Sequence, residues 1–273
     1  MNFIQAIILG IVQGLTEFLP VSSSAHLVIV PYLLNWTLDP EKAFVFNVLI
    51  QLGTLVAVIV YFWSDLVAIF RSVIQGIKEK EPFKEVDSRL GWYIVLGTIP
   101  AGLAGMILKE RVEEAFGSHV ITAILLLGTA ILLVLAELLS KKAKNLDKMT
   151  WQDSLIVGIF QALAIFPGIS RSGATISGGM LKGYTREAAA RFSFLLSIPI
   201  MLAAGLLSVI DLVRADFFLD FLPVLILGFV IAGVIGYLSI RWLLNYFKKN
   251  TFFGFAIYCV ILSAVTLIVT ALR

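Results

Sequence analysis

Gln13-Gly-Leu-Thr-Glu17-Phe-Leu-Pro20-Val-Ser22-Ser23-Ser24-Ala-His26 is a polar passage set in an otherwise apolar stretch. A second version returns past the midpoint as Gln161-Ala-Leu-Ala-Ile165-Phe-Pro167-Gly168-Ile-Ser170-Arg171-Ser172-Gly173-Ala-Thr175. Between residues 1 and 38, Glu17 and His26 are the only acidic or basic side chains, and between 154 and 181 Arg171 is the only one. Such groups at membrane depth are expensive and mark a functional site. Residues 3–19 and 21–36 are each short for a membrane crossing, with Pro20 and the serine run dividing them; Pro167-Gly168 divides 152–166 from 174–181 in the same way. Proline removes a backbone donor and serines compete for local backbone bonds, so both places predict a broken helix. The expectation is two re-entrant helical hairpins, over about 1–36 and 152–183. Their irregular tips must be buried in protein or line a wet cavity.

Around these passages the composition is that of an integral membrane protein: 59% hydrophobic and 14% charged residues, with a mean hydropathy of +0.97. That excludes an ordinary soluble domain. Apolar runs at 44–63, 92–108, 119–139, 192–210, 222–240 and 252–272 have the length of membrane crossings and predict six full spans. The net charge of +3 lies in inter-helix loops, where membrane topology accounts for it, so nucleic acid is not expected as a partner. The single cysteine, Cys259, sits in an apolar run and allows neither a disulfide framework nor a thiolate metal site. The N-terminus has no basic region and no small-residue cleavage site, so it is expected to be mature structure rather than a signal peptide.

The duplication extends beyond the two polar passages. Phe46-Asn47-Val-Leu-Ile-Gln51 returns as Phe192-Ser193-Phe-Leu-Leu-Ser197, and Gly97, Gly102 and Gly105 return with the same spacing as Gly228, Gly233 and Gly236. Three matches in the same order predict one membrane domain over 1–273 built from two repeats, 1–140 and 151–273. If each half is a re-entrant hairpin plus three spans, the odd number of crossings inserts the halves upside down. The loop charges agree. Fifteen Lys and Arg residues, in 64–90, 140–150, 182–191 and 241–249, fall on one side, against Lys42, Lys109, Arg111, Arg214 and Arg273 on the other. The positive-inside bias puts the larger group in the cytoplasm and both termini outside. The expected fold class is therefore an all-α polytopic membrane protein with an inverted-topology repeat, an architecture of transporters.

The chemistry lies in the tips. Gln13 and Glu17 share a helix face and offer oxygen ligands for Mg²⁺ or Ca²⁺, while Glu17 could equally carry protons or clasp Arg171. Ser22, Ser23 and Ser24 stand where a second half-helix begins and can cap it, which also makes an anion site. Ser23 and His26 have the spacing of a hydroxyl nucleophile and its base, or of a histidine that itself attacks phosphorus. Gly168-Ile-Ser170-Arg171-Ser172-Gly173 supplies hydroxyls, backbone donors and a guanidinium suited to cradling a phosphate, with Thr175 following on the next half-helix. Gln51, paired with Asn47 one turn before it, is a candidate support for substrate or a helix-to-helix hydrogen bond. Glu17, Ser23 or His26, and Arg171 together form a phosphoryl-transfer constellation.

These residues resemble the undecaprenyl-diphosphate phosphatase family, also called bacitracin-resistance proteins. The glutamate-or-glutamine-x-x-x-Glu motif falls on Gln13 and Glu17, and E-F-L-P-V-S-S-x-x-H on Glu17 through His26. P-G-x-S-R-S-G-A-T falls on Pro167 through Thr175, and Q-L-G on Gln51–Gly53. The resemblance covers essentially the whole chain. It implies an enzyme of the bacterial inner membrane that hydrolyses a C55 polyprenyl diphosphate at the outer face with a divalent cation. Glu17 would then handle metal or proton, Ser23 and His26 would serve the attack, and Arg171 would bind the diphosphate. Ser22, Ser24, Ser170, Ser172, Gly173, Thr175 and Gln51 are the expected substrate-binding residues around them, and Gln13 joins Glu17 at the metal. Three positions depart from the family pattern: Gln13 replaces a second glutamate common in members, Asn47 a common acid, and Ala25 the usual glycine. Membrane lipid is an expected partner and a homodimer is compatible with the sequence. The alternative function is a flippase for a lipid phosphate, since fold alone does not separate the two.

Overall fold

The computed structural model describes residues 1–213 and 218–273; Arg214, one of the five basic residues expected on the sparse side, lies outside them. The described residues form helices α1 (Phe3–Thr16), α2 (Ser23–Leu33), α3 (Pro40–Tyr61), α4 (Trp63–Lys78), α5 (Val86–Ile107), α6 (Lys109–Phe116), α7 (His119–Leu139), α8 (Trp151–Leu163), α9 (Arg171–Leu181), α10 (Arg186–Val213), α11 (Phe218–Phe247) and α12 (Phe253–Leu272). The protein is an all-α polytopic membrane protein. Five helices are long and apolar enough to cross a bilayer (Val86–Ile107, His119–Leu139, Arg186–Leu206, Phe221–Phe247 and Phe253–Leu272), and a sixth crossing is available where α3 and α4 meet.

Both expected breaks are present. α1 stops at Thr16 and α2 starts at Ser23; α8 stops at Leu163 and α9 starts at Arg171. The caps explain the restart points. Ser22 Oγ accepts from the Ala25 amide and Ser170 Oγ from the Gly173 amide, each satisfying an otherwise unpaired first-turn donor. Within each tip the cap hydroxyl also contacts the serine two residues on, Ser22 to Ser24 and Ser170 to Ser172, both at 3.1 Å. The two tips are therefore built alike, with Ser23 and Arg171 both at the first helical position.

Two segments differ from expectation. Residues 64–90 were expected as a basic loop, but most of the stretch is α4, which leaves α3 at a bend of 74°. Its sequence is a helix with apolar residues on much of its surface, and it packs on α5. The charges in it masked the helical period. α6, eight residues with five charged side chains, likewise occupies what reads as a turn between spans.

The packing exchanges elements between the halves. α1 lies against α11, while α8 lies against α5. Each crossing is made glycine to glycine: a Cβ on Gly10 would fall 2.9 Å from the Gly228 carbonyl oxygen, and one on Gly158 would fall 2.4 Å from that of Gly97. Gly10 and Gly158 each stand three residues before the glutamine that opens a polar passage, and Gly97 and Gly228 are the glycines matched in the sequence. Small residues let such helix backbones approach closely. The basic loops also come together. Arg186 and Lys142 both engage Glu137, Lys144 and Lys182 flank Asp153, and Arg89 reaches the Asp147 carbonyl. Tyr32, Leu33 and Arg273 meet elsewhere, where Arg273 donates to the Tyr32 and Leu33 carbonyls.

Candidate active site

Glu17 is the centre of the polar tips. It follows the last turn of α1, its backbone amide still bonded to the Gln13 carbonyl, and the residue is 6% exposed. Oε2 accepts from Ser23 Oγ at 2.6 Å and from Gln13 Nε2 at 2.8 Å, and Oε1 accepts from Arg171 Nη2 at 2.5 Å. One carboxylate thus ties together the first residues of α2 and α9, one from each half. Gln13 Nε2 also contacts Thr54 Oγ1 at 3.3 Å, which fixes the amide so that its nitrogen faces the carboxylate.

A cavity of about 220 Å³ opens beside this cluster. Glu17, Ser22, Ser23, Ser24, Gln51, Gln161, Ser170 and Arg171 give it a polar wall, and Ala101, Phe116, Ile200, Met201 and Ala204 an apolar one. Arg171 donates from Nη2 to Glu17 and, at 3.5 Å, to Met201 Sδ. Among the described residues its Nε and Nη1 have no partner, which leaves a guanidinium edge for an anion. The free first-turn amides of α2 and α9 add donors, and the two helix dipoles add positive potential at the same place. Bond for bond, the site can bind a phosphate, present a hydroxyl to it and accept that hydroxyl's proton.

Other expected site residues stand back from the cavity. Gln13 contacts Glu17 but does not line the cavity. Ser172 Oγ donates to the Leu19 carbonyl, locking one tip onto the other. The Gly173 amide is spent on the Ser170 cap, and Thr175 Oγ1 bonds the Arg171 carbonyl and Ser193 Oγ. His26 is 4% exposed and both its ring nitrogens are engaged elsewhere: Nδ1 with the Ser22 carbonyl and Nε2 with Tyr258 Oη, each at 2.7 Å. It makes no hydrogen bond with Ser23, whose hydroxyl goes to Glu17.

Several participants carry no sequence signal. Thr129 on α7 donates to the Gly168 carbonyl and accepts from the Ser170 amide, clamping the second tip. Cys259 and Tyr258 on α12 hold the first, at the Pro20 carbonyl and His26. Gln161 could have been found: it matches Gln13 in the repeat, is 1% exposed and lines the cavity. Its nitrogen faces the Gly97 carbonyl at 3.5 Å, and its Oε1 is buried with no partner.

Fold and site together define a polytopic membrane protein with a buried polar centre assembled from two broken helical hairpins. The chain belongs to the bacitracin resistance protein BacA family, whose family model matches residues 6–265. It is 46% identical to the undecaprenyl-diphosphatase of Chloroherpeton thalassium over 273 residues, covering 96% of this chain and 94% of that one. The undecaprenyl-diphosphatases of Chlorobium limicola and Thermomicrobium roseum are 42% and 41% identical, with 98% or more of each chain covered.

Proposed function

We propose that this protein hydrolyses undecaprenyl diphosphate to the monophosphate and inorganic phosphate, recycling the lipid carrier of cell-wall synthesis and conferring bacitracin resistance. The observation that carries it is the convergence of Ser23 and Arg171 on the two oxygens of Glu17 at the wall of one cavity. The relatives' name, undecaprenyl-diphosphatase, supplies the substrate.

The terminal phosphoryl group sits between the starts of α2 and α9, held by the free edge of Arg171, the first-turn amides and the hydroxyls of Ser22, Ser24 and Ser170. Ser23 Oγ attacks its phosphorus while the hydroxyl proton passes to Glu17 Oε2, already at hydrogen-bond distance. The bond to the bridging oxygen breaks, and the departing monophosphate takes the proton from Glu17. Glu17 then accepts a proton from the water that attacks the phosphoserine, and returns it to Ser23 Oγ as phosphate leaves. Gln13 orients Glu17 throughout. Gln51 and the unpaired Gln161 oxygen complete the wall.

A divalent cation, Mg²⁺ or Ca²⁺, fits the donor chemistry, because the wall offers a carboxylate, hydroxyls and amide oxygens, one of them buried without a partner. Among the described residues no group of three His, Cys, Asp or Glu side chains converges. The protein would hold the ion through Glu17, with substrate and water completing its shell, a pattern usual for Mg²⁺. When bound, it neutralises charge on the diphosphate. Gln13 turns its nitrogen to Glu17, so its part as a ligand is tested directly: Gln13→Glu should enlarge the rise in melting temperature produced by Mg²⁺ or Ca²⁺. An unchanged rise removes position 13 from the ligands.

The halves 1–140 and 151–273 insert upside down relative to each other, with hairpins 1–36 and 152–183 re-entrant. The basic loops face the cytoplasm of a bacterial inner membrane, and the site opens toward the outer face. The clustering of basic loops around Glu137 and Asp153 supports this orientation. α5 and α10, which wall the cavity with Ala101 and Ile200, also wall an apolar cleft of about 770 Å³ with Ile94, Ile198 and Leu202, a surface suited to the prenyl tail. The test is phosphate release from a polyprenyl diphosphate by the purified protein in detergent, with each metal. Folded protein that releases none under any condition refutes the proposal. Movement of lipid monophosphate across proteoliposomes without hydrolysis would point to the flippase instead.

A further inference from the structure

Ser22 is the one residue of the two tips with strained backbone. Its φ is +67° and ψ 94°, a left-handed conformation that a side-chain-bearing residue adopts at a cost. The matching residue, Ser170, does the same capping work at an ordinary φ of −67° and ψ of 122°. The residues leading in differ, Pro20-Val21 against Gly168-Ile169, and in the second tip it is Gly168 that takes the positive φ, +105°; what holds the turn at Ser22 is found in what its carbonyl touches. Four residues beyond the cap the first tip carries His26 and the second Ala174.

His26 supplies what Ala174 does not. A carbonyl oxygen only accepts, so the 2.7 Å contact with the Ser22 carbonyl puts the imidazole proton on Nδ1. The ring is buried and no acidic side chain bonds it, so the ring is neutral and Nε2 is an acceptor. Tyr258 Oη fills that acceptor at 2.7 Å, with its ring parallel to the imidazole to within 2°. The chain Tyr258 Oη–H to His26 Nε2, then His26 Nδ1–H to the Ser22 carbonyl, runs from α12 of one half to the tip of the other. It ends at the residue immediately before the nucleophile. With both nitrogens so engaged, His26 has no lone pair to offer Ser23, whose proton already points at Glu17.

We propose that Tyr258 is a positioning residue for the attack on phosphorus, acting through His26 to hold the Ser22 carbonyl in the left-handed turn that aims Ser23 into the cavity. Glu17, not His26, is the base. The inference rests on Ser23 being the attacking group. It assigns the histidine of the first polar passage to holding backbone, and it adds a residue from an apolar span that no motif marks.

Two measurements test it. The chain has only two histidines, so ¹⁵N spectra of the full-length protein in detergent, with His119→Gln for assignment, report the His26 tautomer directly. The expected state is neutral with the proton on Nδ1, shifting toward a tautomer mixture in Tyr258→Phe. A wild-type ring protonated on Nε2 overturns the proposal. Phosphate release is then measured for wild type, Tyr258→Phe, Ser22→Gly and the double variant. Tyr258→Phe keeps the ring and its stacking, and should lower kcat about tenfold with KM within about twofold, as expected for a misaimed nucleophile. Glycine adopts the left-handed turn without strain. Against the lower baseline of Ser22→Gly, the further loss from Tyr258→Phe should therefore shrink to less than about twofold. Equal losses in the two backgrounds, or no loss in either, overturn the proposal. A wild type that releases no phosphate instead refutes the hydrolase function, and is recognised because the failure precedes any substitution.

Discussion

Replacing Glu17 by glutamine changes one atom and separates binding from chemistry at this site. Three donors converge on the carboxylate: Ser23 Oγ and Gln13 Nε2 on one oxygen, Arg171 Nη2 on the other. A glutamine oxygen can serve only one of these sides. If it serves Ser23 and Gln13, its NH₂ faces the Arg171 guanidinium. If it serves Arg171, its NH₂ faces Ser23 and Gln13, of which Gln13 can turn its own unpaired Oε1 inward. The second arrangement costs less, so the stability loss should stay at about 1–3 kcal/mol, the range for an impaired hydrogen bond to a charged group. At saturating Mg²⁺ or Ca²⁺, Arg171 sheds an ionic partner and becomes more available to phosphate, which offsets the weaker hold on the cation, so KM should change less than kcat. The proton acceptor for Ser23 disappears, and kcat should drop by about 10²–10⁴. Steady-state phosphate release from a polyprenyl diphosphate gives both constants, and a melting curve in detergent gives the stability loss. A Glu17→Gln protein with kcat within about threefold of wild type would refute the role of Glu17 as base.

Arg171→Lys keeps the charge and loses the planar fork, so KM should rise about tenfold, ~1.4 kcal/mol of binding, with a smaller change in kcat; equal affinity would show that the guanidinium edge does not meet phosphate. Gly158→Ala places a methyl 2.4 Å from the Gly97 carbonyl oxygen and should cost about 1–3 kcal/mol in a denaturation assay. Gly102→Ala, with nothing within 4 Å of the new carbon, should be neutral or slightly stabilising in the same measurement. Glu137→Ala strands Arg186, Lys142 and the Phe252 amide, and should cost about 2–3 kcal/mol once the part exposure of the two cations is allowed for. Its kcat and KM below the melting temperature should match wild type, since the cluster stands apart from the cavity.

The breaks at Pro20 and Pro167, the spans and the placing of Glu17 and Arg171 at the polar tips were legible because each follows from local chemistry: proline ends a helix, and a lone charge in an apolar run needs a reason. Which hydroxyls face the cavity was not. Ser22, Ser23, Ser24 and Ser170 line it, while Ser172 and Thr175 turn to backbone and to Ser193. That choice is made by how the two tips dock, through contacts 153 residues apart in sequence such as Ser172 to Leu19. The spacing of Ser23 and His26 lets the two meet across a turn of α2, but each bonds elsewhere: Ser23 to Glu17, and His26 to the Ser22 carbonyl and Tyr258. Tyr258, Thr129 and Cys259 were invisible because each is an uncharged, weakly polar side chain scattered in an apolar span, the pattern of ordinary packing. α4 and α6 were missed because their charges read as loop.

The two polar tips share backbone where they need a scaffold and differ where the proposed chemistry needs it. Both tips retain the capping serine, the serine two residues on and the glycine-paired crossing behind them. Two such helix starts facing each other would make two equal anion sites with nothing to attack from. On the proposed mechanism, the hydroxyl at position 23 and the guanidinium at the matching position 171 divide attack from capture. The carboxylate can then appear only once. Ile165, the counterpart of Glu17, also lines the cavity; an acid there would set two negative charges against the single Arg171 and repel the diphosphate that the dipoles and the guanidinium attract. An apolar residue at 165 is therefore part of the site's design, as much as Glu17 is. On that mechanism it lets one glutamate hold Arg171 before substrate arrives and serve Ser23 when phosphate takes the arginine's free edge.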